Sequence, residues 1–334
     1  MLKTVSLSCV IACAVFMSGC GTKRQYFEPQ NLQGSIQFDG SLSSSIKEIT
    51  RDGASLKNGG VITRNGNELN INLEDKYNFF GEFDGKFITA TPNGFLHVKN
   101  SDGKLIYSKD IRAITASASI GGDTLAIVTS DNILYLIDIN SNVTIFQKKM
   151  DAMPAIDSRI AAPYFLGSLV IFPTLDGKLT IVDRNNGTLV RNVVVSGERE
   201  FNNIIFLDVI DDRMFASTAK RIIGIKPDGI NYIDEEIKDA IVAEDRVFIF
   251  TKDGRVILAD LDLKILSEQK FSFAIFSAVA AKNKLYIIEK RGYLIKSDLD
   301  LKNFEIFKLP FDVEDSLFVT DSKIYYGNSF YTLE

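Results

Sequence analysis

Residues 259–265 read "ADLDLKI" and residues 297–303 read "SDLDLKN". Two origins would explain a phrase that returns after 38 residues. Asp260 with Asp262, and Asp298 with Asp300, could be carboxylate sites for a metal ion or for acid–base chemistry. Alternatively, the phrase marks equivalent places in a structural repeat. The flanking residues favour the repeat. "DTLAIVTSDNILYLID", "SLVIFPTLDGKLTIVD", "DRVFIFTKDGRVILAD" and "NKLYIIEKRGYLIKSD" each hold two short apolar runs around Asp-Asn, Asp-Gly or Arg-Gly. Val, Ile, Leu, Tyr and Phe flanking such turns signal β-hairpins.

Aligned on their turns, the hairpins begin at Asn93, Asp131, Asp176, Lys220, Asp253 and Arg291. Seven positions later stand Asp138, Asp183, Asp260 and Asp298, with Asn100 in the first of the series. Asp and Asn suit the end of a strand because their side chains accept bonds from nearby backbone amides. Asn65-Gly66 and Gly327-Asn328 extend the series to eight turns. Units of about 40 residues with four short strands each predict a β-propeller. The expected fold is all-β: eight four-stranded blades, with seven as the alternative. The last repeat stops after its third strand, so "GSIQFD", Gly34–Asp39, is expected to supply the missing strand and close the ring.

The chain has 334 residues, 46% of them hydrophobic and 24% charged, an ordinary globular balance. Its net charge of −5, with acids and bases interspersed, gives no footprint for nucleic acid. The start, "MLKTVSLSCVIACAVFMSGC", has one cation and then an apolar run too short to span a bilayer. It reads as a secretory signal. Met17-Ser18-Gly19-Cys20 resembles the bacterial lipobox, with Met17 in place of the usual Leu. That resemblance implies cleavage before Cys20 and a diacylglycerol thioether on its sulfur. Gly21 is not the Asp that commonly retains lipoproteins in the inner membrane. The expected organisation is a signal peptide over 1–19, a lipidated tether over 20–33 and a propeller over 34–334. Cys9 and Cys13 depart with the signal, which leaves the mature chain without a disulfide.

The phrases "YLIDINSNVTIFQKK" and "TIVDRNNGTLVRNVVV" give an apolar strand, Asp, a turn ending in Asn or Gly, and an outward strand. This resembles the PQQ-type propeller repeat. With the lipobox, the chain is similar to the BamB-like propeller lipoproteins of the outer-membrane β-barrel assembly machine. The resemblance implies a lipid-anchored outer-membrane protein facing the periplasm. It would bind an envelope protein, the β-barrel insertion protein above all. Such repeats usually end in a tryptophan that docks between blades. This chain has no Trp, and Phe146, Phe271 and Phe307 stand where that aromatic belongs.

Catalytic chemistry has little footing. His97, in "GFLHVKN", is the chain's one histidine and alternates with Leu96 and Val98 as on a strand face. "DINSNV" fails as a calcium loop, with Val143 where Gly is needed and Lys149 where Glu is needed. Quinone-dependent dehydrogenases stack their cofactor on tryptophan, which is missing here. We therefore expect no enzyme, no cofactor and no metal site. A scaffold of another envelope complex, for secretion or motility, is the alternative, and an envelope enzyme a more distant one. Two repeats carry extra length, in Met150–Phe165 and Ser196–Asn203. Met150, Met153, Arg199 and Phe201 are the candidate partner-binding residues, since Met, Arg and aromatic side chains are enriched at interfaces. The alternative is that they fill the seams between blades.

Overall fold

The computed structural model describes residues 27–271, 275–314 and 316–334. Among them the chain forms eight sheets of four antiparallel strands, one of which gains a fifth, parallel strand, and no helix. Blade 1 begins with Ile46–Thr50, blade 2 with Asn78–Phe83, blade 3 with Thr115–Gly121 and blade 4 with Tyr164–Leu166. Blades 5 to 8 begin with Phe206–Ile210, Ile237–Ala243, Ile275–Ala281 and Leu317–Val319. Antiparallel order puts the first-to-second and third-to-fourth turns on one face of the disc, here the hairpin face. The second-to-third turns and the links between blades share the opposite, connection face.

The core is divided among the eight seams. Strand alternation explains why. In blade 6, Val247, Ile249 and Ile257 pack toward blade 5, whereas Phe248, Phe250, Val256 and Leu258 pack toward blade 7. A strand buried on both faces reads as an unbroken apolar run, as in Val247–Phe250. Phe146 packs in the seam of blades 3 and 4, Phe271 in that of blades 6 and 7, and Phe307 in that of blades 7 and 8. These phenylalanines do the seam-filling expected of the missing tryptophans.

The DLDLK phrase is a clasp between blades. Asp260 Oδ1 accepts the N–H groups of Asp262 and Lys264, both at 2.9 Å. That fixes the turn. Asp262 then pairs with Arg213 of blade 5 at 2.7 Å. Leu263 adopts φ +58° and is buried against blade 5, in the cluster of Phe215 and Ile222. The second copy repeats each part. Asp298 accepts the N–H of Lys302, Asp300 pairs with Arg246 at 2.8 Å, and Leu301 is buried at φ +56°. A left-handed leucine costs about 1–2 kcal/mol, which burial of its side chain, worth about 1.5–3 kcal/mol, offsets.

Two expectations need correction. The turn of blade 1 equivalent to Asn93-Gly94 is Asn58-Gly59, not Asn65-Gly66. Leu73 donates to Gly59 at 2.9 Å just as Ile111 donates to Gly94. Asn65-Gly66 is the next turn of the same blade, between Gly60–Thr63 and Glu68–Asn70. Closure is also shared differently along the N-terminal segment. Gly40–Ser41, not Gly34–Asp39, forms the outer strand of blade 8, antiparallel to Ser329–Thr332. Asp39 and Leu42 extend the pairing by donating to Phe330 and Asn328. Gly34–Ser35 instead runs parallel to the outer strand of blade 7, as a fifth strand there. Within the stretch read as a tether, Phe27 packs edge-on against Tyr293 with ring centroids 5.6 Å apart.

Candidate functional site: a loop platform over the central channel

The two long loops link blade 3 to blade 4 and blade 4 to blade 5, so both lie on the connection face. They are bound to each other. Phe201 donates its N–H to the carbonyl of Ala155 at 2.9 Å. Asn203 accepts the N–H of Asp157 at 2.7 Å and donates to the carbonyl of Arg159 at 2.7 Å. Buried Asn202 donates to the carbonyls of Asp176 and Ser196, each at 3.0 Å, and so ties the second loop to the turn beneath it. Buried Asn132 donates to the carbonyl of Asp151 at 2.7 Å and anchors the first loop in the same way. Asn202 Oδ1 has no partner of its own, but the bonds that the two buried amides donate hold each loop in place.

The candidate residues divide into two kinds. Met150 and Met153 are half-buried and pack with Ile156 and Ile160 on the core of the seam between blades 3 and 4. Arg199 and Phe201 are exposed, and Phe201 shows 47% of its surface to solvent at φ +52°. Beside Arg199 lies a charged groove lined by Glu198, Lys220, Arg221 and Glu236. Exposed Tyr232 lies under the guanidinium of Arg221, 4.4 Å from ring centroid to carbon. Together these groups form a surface of aromatic and charged side chains on a braced backbone. Cys20 lies outside the described residues.

The first loop also sends a side chain across the central channel. Arg159 enters from the connection face and donates to the carbonyl of Lys238. Arg51, at the hairpin end of the first strand of blade 1, crosses the channel to the carbonyl of Ile205 at 2.8 Å. Both guanidinium groups meet Asp239, Arg51 at 3.2 Å and Arg159 at 3.9 Å. Burial and the nearby Arg159 charge bring the Lys238 amine down to about 8. Burial raises the carboxyl of Asp208, against the attraction of Arg64 and Arg51. A cavity of about 260 Å³ remains at the hairpin face, lined by Arg51, Arg64, Ser119, Tyr164 and Phe206. Among the described residues no group of three or more His, Cys, Asp or Glu side chains is placed to hold a metal ion.

His97 accepts or donates one bond, to the hydroxyl of Tyr77 at 3.0 Å, and stacks on that ring at 4.5 Å. Burial lowers its pKa, which favours the neutral imidazole. Sequence reading missed Arg51, Arg159 and Asp239, which come from widely separated parts of the chain. It also missed a threonine that ends the second strand of several blades. Thr91, Thr129, Thr174 and Thr251 each accept the N–H four residues on, at 2.9 to 3.1 Å. The signal was present, as Thr stands two positions before each of those turn pairs.

Comparison with known proteins agrees with this architecture. The family model described as outer membrane protein assembly factor BamB matches residues 78–302. The plasminogen-binding protein PgbB of Helicobacter pylori is 32% identical over 306 residues, covering 78% of this chain and 56% of that protein. The chain therefore spans little more than half the length of that relative. The crystal structure of BamB from Moraxella catarrhalis superposes with a TM-score of 0.68 at 16% identity, over 89% of this chain and 99% of that one. The C-terminal WD40 domain of Sif2 gives the same TM-score at 14% identity, over 91% and 100%. At such identities the structures speak to the fold alone. The family match covers most of the propeller, and the chain belongs to the PQQ-repeat propeller family of the outer membrane protein assembly factor BamB.

Proposed function

We propose that this protein is a non-catalytic scaffold, anchored to the outer membrane by lipid on Cys20, that holds an envelope protein partner during β-barrel protein assembly. The observation that carries this reading is the braced pair of loops that keeps Phe201 exposed beside Arg199. A surface ordered before binding loses little conformational freedom on docking. A few aromatic and Arg anchors supply most of the energy of such contacts. Family membership favours a partner in the assembly machine, and the lipobox favours a periplasm-facing anchor. Extraction of the intact protein from native membranes in mild detergent is the test. Recovery of the β-barrel insertion protein is expected. Recovery of a secretion or motility complex instead would favour the alternative scaffold. A quinone cofactor in the pure protein would reverse the non-catalytic reading.

A second reading rests on the Helicobacter relative, whose name describes plasminogen binding. The shared propeller could carry that property here. Immobilised plasminogen captures the purified protein under that reading and leaves it in solution under the first.

A further inference from the structure

The N-terminal segment leaves the propeller at one place on its circumference. Phe27 sits in the seam of blades 6 and 7, against Tyr293 and in the cluster of Phe271. From there the chain reaches Gln33, which donates to Ile306, and then the parallel pairing of Gly34–Ser35 with the outer strand of blade 7. Phe27 follows Cys20 by seven residues, a span of at most about 25 Å when fully extended. That span contains Lys23 and Arg24.

The nearby circumference exposes apolar side chains among lysines and carboxylates. Phe304 stacks edge-on against Phe271 at 5.3 Å and still exposes 42% of its surface. Ile265 and Leu266, on the outer strand of blade 6, are 50% and 54% exposed. Lys264 and Lys302, the last residues of the two DLDLK phrases, are exposed, one directly before Ile265 and the other two positions before Phe304. Glu268 and Glu305 share the edge, and Glu268 lies 3.4 Å from Arg255.

We propose that the outer edge of blades 6 and 7 rests on the bilayer surface, with Phe304 and Leu266 at headgroup depth. This rests on the lipidation of Cys20 proposed above. A short tether that docks at Phe27 leaves this edge nearest the anchor. Apolar side chains flanked by lysines suit the boundary between acyl chains and anionic headgroups. The disc then stands on its edge, with its two faces open to the periplasm.

The test uses the full lipidated chain in vesicles of phosphatidylethanolamine and phosphatidylglycerol. A nitrobenzoxadiazole label is placed at Leu266→Cys or Phe304→Cys, and for comparison at Ile106→Cys or Val190→Cys on blades 2 and 4. Labels at 266 and 304 should shift to the blue and lose fluorescence to doxyl-labelled lipid, while those at 106 and 190 do neither. Equal responses at all four positions, or none, with the protein floating with the vesicles, would overturn the edge-on arrangement and leave the anchor intact. A parent chain that fails to float would overturn both readings. Leu266 packs in none of the core clusters, so its result stands even if the label at 304 disturbs Phe271.

Discussion

Leu42 donates its backbone N–H to the carbonyl of Asn328 at 2.7 Å, and this bond joins the two ends of the chain in blade 8. The same bond recurs in blade 7 from Leu309 to Gly292 at 2.8 Å. Blade 8 is therefore built by the rule of the others, with its outer strand borrowed from the N-terminal segment. A ring closed in this way leaves no unpaired edge inside the last blade.

Gly40 lies at that closure. A Cβ there would stand 2.6 Å from the ring of Phe330, which packs on Tyr325. Gly40→Val should lower stability by about 1–3 kcal/mol, as overpacking does. At Gly229 a Cβ meets nothing within 4 Å, and Gly229→Ala should change stability by less than about 0.5 kcal/mol. Urea denaturation of the two variants checks the contrast.

The clasp residues differ in weight. Asp298 accepts the N–H of Lys302 at 2.9 Å, the N–H of Asn303 at 3.2 Å and the amide of Asn303 at 2.8 Å. Asp298→Ala should cost about 1–2 kcal/mol. Asp300 is half-exposed, and Asp300→Ala should cost less than about 1 kcal/mol. Burial pushes the Asp298 carboxyl up, but the N–H groups of Lys302 and Asn303 outweigh it and hold it below the ordinary range. A depressed carboxylate contributes stability above its unfolded value of about 3.9 and loses it as pH falls through the folded value. The gap between parent and Asp298→Asn should therefore narrow below about pH 4, as read by chemical denaturation.

His97 acts with the same sign in a higher pH window. Burial lowers its folded pKa, so the unfolded chain binds the proton first as pH falls. Stability from this group is present above the unfolded value of about 6.5 and declines as pH drops below it. The chain has no other histidine. His97→Phe should flatten the slope of melting temperature between about pH 7 and pH 5.5, whatever its effect on the level.

Much of the ring was legible in the sequence. The aspartates at 138, 183, 260 and 298 each stand seven positions after a turn, and the phenylalanines at 146, 271 and 307 each follow within about a dozen residues of one of them, because each obeys a local rule of turn or seam. Blade 1 misled because it is short and carries two Asn-Gly turns, at Asn58 and at Asn65, and turn chemistry alone does not say which is which. The closing strand was misplaced because Gly34–Asp39 and Gly40–Ser41 are adjacent and both pair, one with each of two blades. The channel was not legible at all. Arg51, Arg159 and Asp239 are ordinary surface types in sequence, and only the ring brings them together.

Arg159 couples the loop platform to the channel. Its charge helps hold the Lys238 amine down at about 8, second to burial. Arg159→Gln should raise the Lys238 pKa, as measured by NMR of the ¹³C-methylated amine. The same change removes an anchor of the first loop, so amide exchange over residues 155–161 should speed up. An unchanged exchange rate would detach the platform from the channel.

Whether the platform carries partner binding is decided by the double variant Arg199→Glu with Phe201→Ala, compared with the parent in recovery of the partner and in thermal melting. Both side chains are exposed, so the melt should stay within about 2–4 °C of the parent, the shift expected for about 1 kcal/mol or less in a chain of this size. Recovery should fall by about thirtyfold, which corresponds to a loss of about 2 kcal/mol. A double variant that melts like the parent and recovers its partner in full would place the binding surface elsewhere.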